Sequence, residues 1–284
     1  MRGMNDDGDG LGSSRPGREQ ERRTVARDVE VRGRHYRFHE SGTAAPGTCT
    51  ILLVHGIGMT HRSFARVQLA LPPERRVLSV ELAGFGSTER PRHQLSIEDY
   101  AADLSEAMTR LGAWPAVVVG HSMGTQFAVE LARIEPRRVQ GIVLVGPVVD
   151  PKRGTPLRQA IDLARDTVGE PLATNALVLR DYIRAGPRWY FTEFPVMMGY
   201  PMLERIAECA APALIVRGEL EPIARADWCR RLADASGGPA RLLSVPGQHH
   251  VVPRTAPGVL VEELVRLSAT AEERPGETSA HSDG

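Results

Sequence analysis

Gly120-His121-Ser122-Met123-Gly124 reads G-x-S-x-G, and the residues on both sides match what that pattern needs. Before it stands Pro115-Ala116-Val117-Val118-Val119, a short, apolar, β-branched run that predicts a buried strand. After it comes the stretch 125–134, whose apolar residues Phe127, Ala128, Leu131 and Ile134 predict a helix with one buried face. A strand, a Gly-flanked Ser and a helix make a tight turn that holds the serine hydroxyl out at the carboxyl end of the strand. Strand and helix pack so closely there that a side chain at 120 or 124 would clash, which accounts for Gly120 and Gly124. Met123 opens the helix, so its N–H is a donor without a helical partner, suited to developing negative charge.

Composition sets the class around this turn. The 284 residues suffice for one α/β domain with an insertion and a large core. A hydrophobic share of 42% and a charged share of 25% are those of a globular protein. Net charge is zero, which favours neither nucleic acid nor an anionic membrane as partner. Cys49, Cys209 and Cys229 are too scattered for a disulfide framework or a zinc site, and no metal-ligand spacing or dinucleotide fingerprint appears. Neither a metal nor a cofactor is expected. The N-terminal residues lack the apolar run of a signal peptide and no stretch approaches a membrane span, so a cytoplasmic enzyme is the expectation.

Residues 1–25 and 270–284 are polar and charged and are expected to be disordered tails. Alternation from Val29 to Phe38 predicts an edge hairpin. Apolar strands are expected at 50–54, 76–82 and 139–146, with helices at 60–71 and from Ser96, whose Ser-x-x-Asp start is a capping signal. Strands alternating with helices imply a mostly parallel sheet covered on both faces. The alternation breaks between Asp150 and Cys209. Helical patterns run over 156–170 and 173–185, and Pro187 to Leu203 is irregular and rich in aromatics and Met. The sheet resumes at Ala213, and the last helix runs from about Ala256 to Leu267. The expected division is a core over 26–149 and 210–269, with a helical cap over 150–209.

In order, the chain shows His55-Gly56 after a strand, Gly84-Phe85-Gly86-Ser87 after the next, the 120–124 turn, Gly218-Glu219-Leu220-Glu221 and Pro246-Gly247-Gln248-His249-His250. With these landmarks the chain resembles the serine-nucleophile members of the α/β-hydrolase fold that carry a helical cap. The resemblance covers roughly Val29 to Leu267. That family places nucleophile, acid and histidine in this chain order, which implies Ser122, Glu221 and His250. Its usual base follows Pro-Gly-x-Gly, with a Pro about seven positions on. His250 and Pro257 fit that register, and His249, in the position usually held by Gly, is the alternative base. Its usual acid is Asp, whereas Glu221 is one methylene longer, and Asp150 is the alternative acid. The oxyanion hole would pair the N–H groups of Met123 and Ile57. His55 and His121 are expected to be structural hydrogen-bonders.

Trp189, Tyr190, Phe191, Phe194, Met197 and Met198 lie in the expected cap, with Tyr182, Tyr200 and Met202 nearby. Part of this set packs the cap's own core, and the rest would line an adaptable apolar pocket over Ser122. Arg180 and Arg184, one helical turn apart, either clamp a substrate carboxylate or form a solvated face. The residues imply a serine hydrolase acting on an ester, thioester, lactone or C–C bond beside a carbonyl in a bulky apolar small molecule. Two alternatives stay open: a lyase or cyclase on the same fold, and a non-catalytic ligand-binding protein. A homodimer is also left open.

Overall fold

Strands β1 (Val25–Val31) and β2 (Arg34–Ser41) form the expected hairpin, joined at Arg32-Gly33 with φ of 50° and 73°. A two-residue turn with both φ values positive matches the right-handed twist of the strands it joins. These residues belong to a computed structural model that describes 23–153 and 187–272.

The remaining strands are β3 (Thr50–Val54), β4 (Val77–Glu81), β5 (Ala116–His121), β6 (Val139–Val145), β7 (Ala213–Gly218) and β8 (Ala240–Val245). The sheet order is β1-β2-β4-β3-β5-β6-β7-β8, antiparallel at β1/β2 and β2/β4 and parallel at every other pairing. β3, β4, β5 and β7 are buried along their whole length. Their near-continuous apolar runs are what a parallel strand covered on both faces needs. This is the mostly parallel sheet, covered on both faces, that the sequence implies.

Helices α1 (Ala65–Ala70), α2 (Ile97–Arg110) and α3 (Gly124–Ile134) follow β3, β4 and β5. Two separate apolar cores flank the sheet. One holds Leu52, Val118, Tyr100 and Phe127, and the other holds Leu53, Val119, Phe64 and Leu264. Leu52 and Leu53, like Val118 and Val119, divide between them because successive strand residues face opposite sides. Ser96 caps α2 with a capping box closed by Asp99. The buried Asp103 on α2 accepts hydrogen bonds from Arg34 and from the Tyr36 hydroxyl, which ties the edge hairpin to the helix layer.

Three expectations are corrected. The 60–71 helix begins as a 3₁₀ turn, His61–Phe64, before α1. The stretch expected to be irregular from Pro187 to Leu203 is largely helical: α4 is Pro187–Gly199 and α5 is Met202–Ala207. Pro187 opens α4, where a missing N–H costs nothing, and Pro195 sits inside it. Helices α6 (Ala226–Ala235) and α7 (Val252–Thr255) precede α8 (Pro257–Glu272), which runs past Leu267 into the stretch expected as a tail. Its last residue is pinned, since the Glu272 carboxylate accepts from the Cys49 N–H and pairs with Arg75. The helical patterns at 156–170 and 173–185, with Arg180, Tyr182 and Arg184, lie outside the described residues.

Candidate active site

Ser122 sits between β5 and α3 with φ of 55°, one of two non-glycine residues at positive φ among the described residues. A β-substituted residue in this left-handed region is strained, and such strain persists only where the surroundings enforce it. Here they do. The Ser122 N–H donates to the Val145 carbonyl at 2.9 Å, and its own carbonyl accepts from the Thr125 N–H and hydroxyl. A Cβ at position 120 would lie 2.1 Å from the Gly124 oxygen, and one at 124 would lie 2.3 Å from the Val54 oxygen. The two flanking glycines are therefore steric requirements.

Gly56 brings the turn after β3 against the serine. A Cβ there would come within 2.9 Å of the Ser122 Cβ. Ile57 follows, buried, in a turn closed by the Met59 N–H on the Gly56 carbonyl. Met123, also buried, precedes the first residue of α3, so its N–H belongs to the helix's unsatisfied N-terminal donors. The Gly56 backbone, which leads into Ile57, thus lies against Ser122, and Met123 follows Ser122 in the chain.

Glu221 follows β7 and His250 follows β8. Both are buried, and the His250 Nδ1 makes a short contact with the Glu221 Oε1. That contact engages Nδ1, one of the two ring nitrogens. The Glu221 carboxylate also accepts from the Gly218 and Ala224 N–H groups at 3.1 Å, so three donors fix it. The extra methylene relative to Asp is accommodated by folding the side chain back over its own turn. Asp150 is engaged elsewhere, accepting from Arg231 at 2.6 Å and from the Lys152 N–H. His249 presents its backbone to β7, where its carbonyl would lie 2.2 Å from a Cβ at Gly218.

His55 and His121 brace this arrangement. Burial pushes the His55 pKa down to about 4, so the ring is neutral near pH 7. Its Nδ1–H donates to the Gly56 carbonyl at 2.8 Å, and its Nε2 accepts from the Leu82 N–H. Burial pushes His121 down to about 3, with His250 adding to the shift, and its Nε2–H donates to the His250 carbonyl at 3.1 Å. One position had no sequence signal. Gly146 lies at φ 58°, and a Cβ there would come within 2.8 Å of the His250 ring. The indole N–H of Trp228 holds the adjoining Pro147 carbonyl at 2.9 Å.

The expected pocket residues divide. Trp189 and Met197 are buried, Tyr190, Phe194 and Met198 are half-buried, and Phe191 is 70% exposed. The Trp189 ring covers Gly84 and meets Phe85 edge-on at 6.4 Å.

His39, His61 and Glu81 bring ligand-type atoms within 4.8 Å of one another. The two rings stack at 3.5 Å with 15° between planes, so their nitrogens point along parallel planes and do not converge on one ion. Glu81 instead acts as a brace. Burial alone would raise its pKa, but His61 at 2.6 Å and the N–H and hydroxyl of Ser87 outweigh that and hold it well below the usual range.

Residues 50–170 match the model of the alpha/beta hydrolase fold family. The chain is 30% identical over 126 residues to 2-hydroxymuconate semialdehyde hydrolase of Pseudomonas sp. strain CF600, which covers 43% of each chain. It is 31% identical over 119 residues to a Mycobacterium tuberculosis protein, covering 42% of this chain and 33% of that one. The chain therefore spans less than half the length of these curated relatives. Among solved structures, the enol-lactonase of Burkholderia xenovorans LB400 superimposes with a TM-score of 0.73 at 20% identity, over 85% of this chain and 99% of that one. A thermophilic esterase of Thermogutta terrifontis gives 0.71 at 19%, over 88% and 99%.

Proposed function

We propose that this chain of the α/β-hydrolase fold is a serine hydrolase with Ser122 as nucleophile, His250 as base and Glu221 as acid. The observation that carries the reading is the strained Ser122, held at φ 55° on a turn faced by the Gly56 backbone. His250 Nε2 takes the serine proton as Oγ attacks an acyl carbonyl. The Ile57 and Met123 N–H groups stabilise the oxyanion. Glu221 on Nδ1 fixes the tautomer and stabilises the imidazolium. The imidazolium then protonates the leaving group, and water, deprotonated by His250, releases the acid and regenerates Ser122.

The substrate is a small molecule with a bulky, mostly apolar acyl portion, read from Trp189, Phe194 and Met197 on α4. The scissile bond is an ester, thioester, lactone or C–C bond beside a carbonyl. Hydrolase and lactonase names among the relatives and structural neighbours support that range. No helix among the described residues is long and apolar enough to cross a membrane.

The test is turnover of p-nitrophenyl esters of apolar acids in ¹⁸O-water. We expect one ¹⁸O in each released acid, with Ser122→Ala lowering turnover by about 10⁴-fold or more. Near-wild-type turnover in that variant, or acid released without label, would remove the covalent mechanism.

A further inference from the structure

α4 carries an acidic side chain that the reaction above does not use. Glu193 is fully buried, and neither carboxylate oxygen has a hydrogen-bond partner among the described residues. One turn earlier on the same face, the buried Trp189 indole N–H is also unpartnered. One turn later, Met197 offers its carbonyl to the Gln126 side-chain amide at 2.8 Å, while the Gln126 Oε1 has no partner. The inner face of α4 therefore presents a donor, a carboxyl and, across from it on α3, an acceptor, all buried and all unanswered. Buried polar groups are nearly always hydrogen-bonded, and leaving several unmet at one place is costly.

The location ties this face to the nucleophile. Trp189 covers Gly84 and meets Phe85, Phe85 meets His55 edge-on at 5.3 Å, and His55 holds the Gly56 carbonyl beside Ser122. Gln126 lies in the first turn of α3, which begins just after Ser122. The inner face of α4 thus stands over the loops that carry the reaction.

We infer that Trp189, Glu193 and Gln126 form a polar subsite that recognises a hydroxyl group on an otherwise apolar substrate. The chemistry selects the class. An indole N–H only donates, so the ligand must offer a lone pair. The Gln126 Oε1 only accepts, so the ligand must offer a proton. An ammonium lacks the lone pair, and a carboxylate lacks the proton and meets Glu193. A hydroxyl does both, accepting from Trp189 and donating its one proton to either the Gln126 Oε1 or the Glu193 carboxylate. Burial, which pushes the Glu193 carboxyl up to about 7, is consistent with a site made for a neutral partner.

This inference rests on the hydrolase reading, and the experiment separates the two. Wild type, Glu193→Leu and Trp189→Phe are compared on p-nitrophenyl octanoate and on its hydroxylated forms, with the hydroxyl moved along the chain. In wild type, one hydroxyl position should raise kcat/KM by about tenfold or more over the plain ester. Both variants should lose that preference, and Glu193→Leu should stay within about threefold of wild type on the plain ester. Glu193→Leu should also raise Tm, because it removes an unpartnered buried carboxyl. No preferred position in wild type, or an unchanged preference in both variants, would overturn the subsite while leaving the hydrolase intact. If no ester turns over, ester hydrolysis drops out of the proposed reactions, and calorimetry with octanoic and hydroxyoctanoic acids tests the subsite alone. Tighter binding of a hydroxy acid by wild type but not by Glu193→Leu supports it, and equal affinities overturn it.

Discussion

Glu221 and Asp150 are both buried carboxylates near the carboxyl ends of neighbouring strands, yet only Glu221 meets the His250 ring. Asp150 is held by Arg231 and the Lys152 N–H. Glu221→Gln should lower kcat by about 10³-fold, through the lost charge and the wrong imidazole tautomer. Asp150→Asn should leave kcat within about threefold and be felt mainly as stability, since it weakens one buried ion pair. Kinetics of both variants on one ester check this, and the reverse order of damage would move the acid role to Asp150. Single residues show most plainly what the sequence reveals. The tight turn at Ser122 was legible because G-x-S-x-G between a strand and a helix writes its backbone demands into adjacent residues. Gly146 was not, because its constraint comes from a ring more than a hundred positions away. Choosing between Glu221 and Asp150 likewise needed the partners of each, which are distant in sequence.

At the scale of elements, the turn between β5 and α3 is set by contact distances. Gly120→Ala puts a methyl 2.1 Å from the Gly124 oxygen and should cost about 3 kcal/mol. Gly258, in α8, has nothing within 4 Å of an added Cβ, and Gly258→Ala should stabilise by about 0.5–1 kcal/mol. Urea denaturation of the two variants measures both signs, and equal effects would contradict the steric account. α4 supplies a pH prediction. The folded state holds the Glu193 proton up to about 7, whereas the unfolded chain releases it near the ordinary value of 4.5. Between those values the native state binds more protons, so this group's contribution to stability is intact below 4.5 and falls as pH rises through 7. The gain from Glu193→Leu should therefore be larger at pH 8 than at pH 5, and an equal gain at both would show that Glu193 does not titrate in this way. α4 itself was illegible because the stretch from Pro187 to Leu203, with Pro195 inside it, shows no clean helical stripe. The four-residue spacing from Trp189 to Glu193 to Met197 was the available signal that all three share one face.

Across the whole molecule, the sheet order delivers the chemistry to one edge. β5, β7 and β8 are parallel members of one sheet, so the residues that follow them emerge at the same end, where β3 also delivers Gly56 and Ile57. That architecture was legible because apolar runs and helical stripes alternate along the sequence, and alternation of that kind admits few topologies. Position across the sheet was not legible: that β4 lies between β2 and β3 is fixed by long-range pairing rather than by local pattern. The central claim is that this assembly activates one serine out of all those in the chain. It is tested most directly by intact-mass measurement after exposure to a fluorophosphonate, followed by peptide mapping, for wild type and Ser122→Ala. We predict a single adduct on the peptide containing Ser122 in wild type and none in the variant. An unlabelled wild type, or the same adduct persisting in Ser122→Ala, would contradict the account.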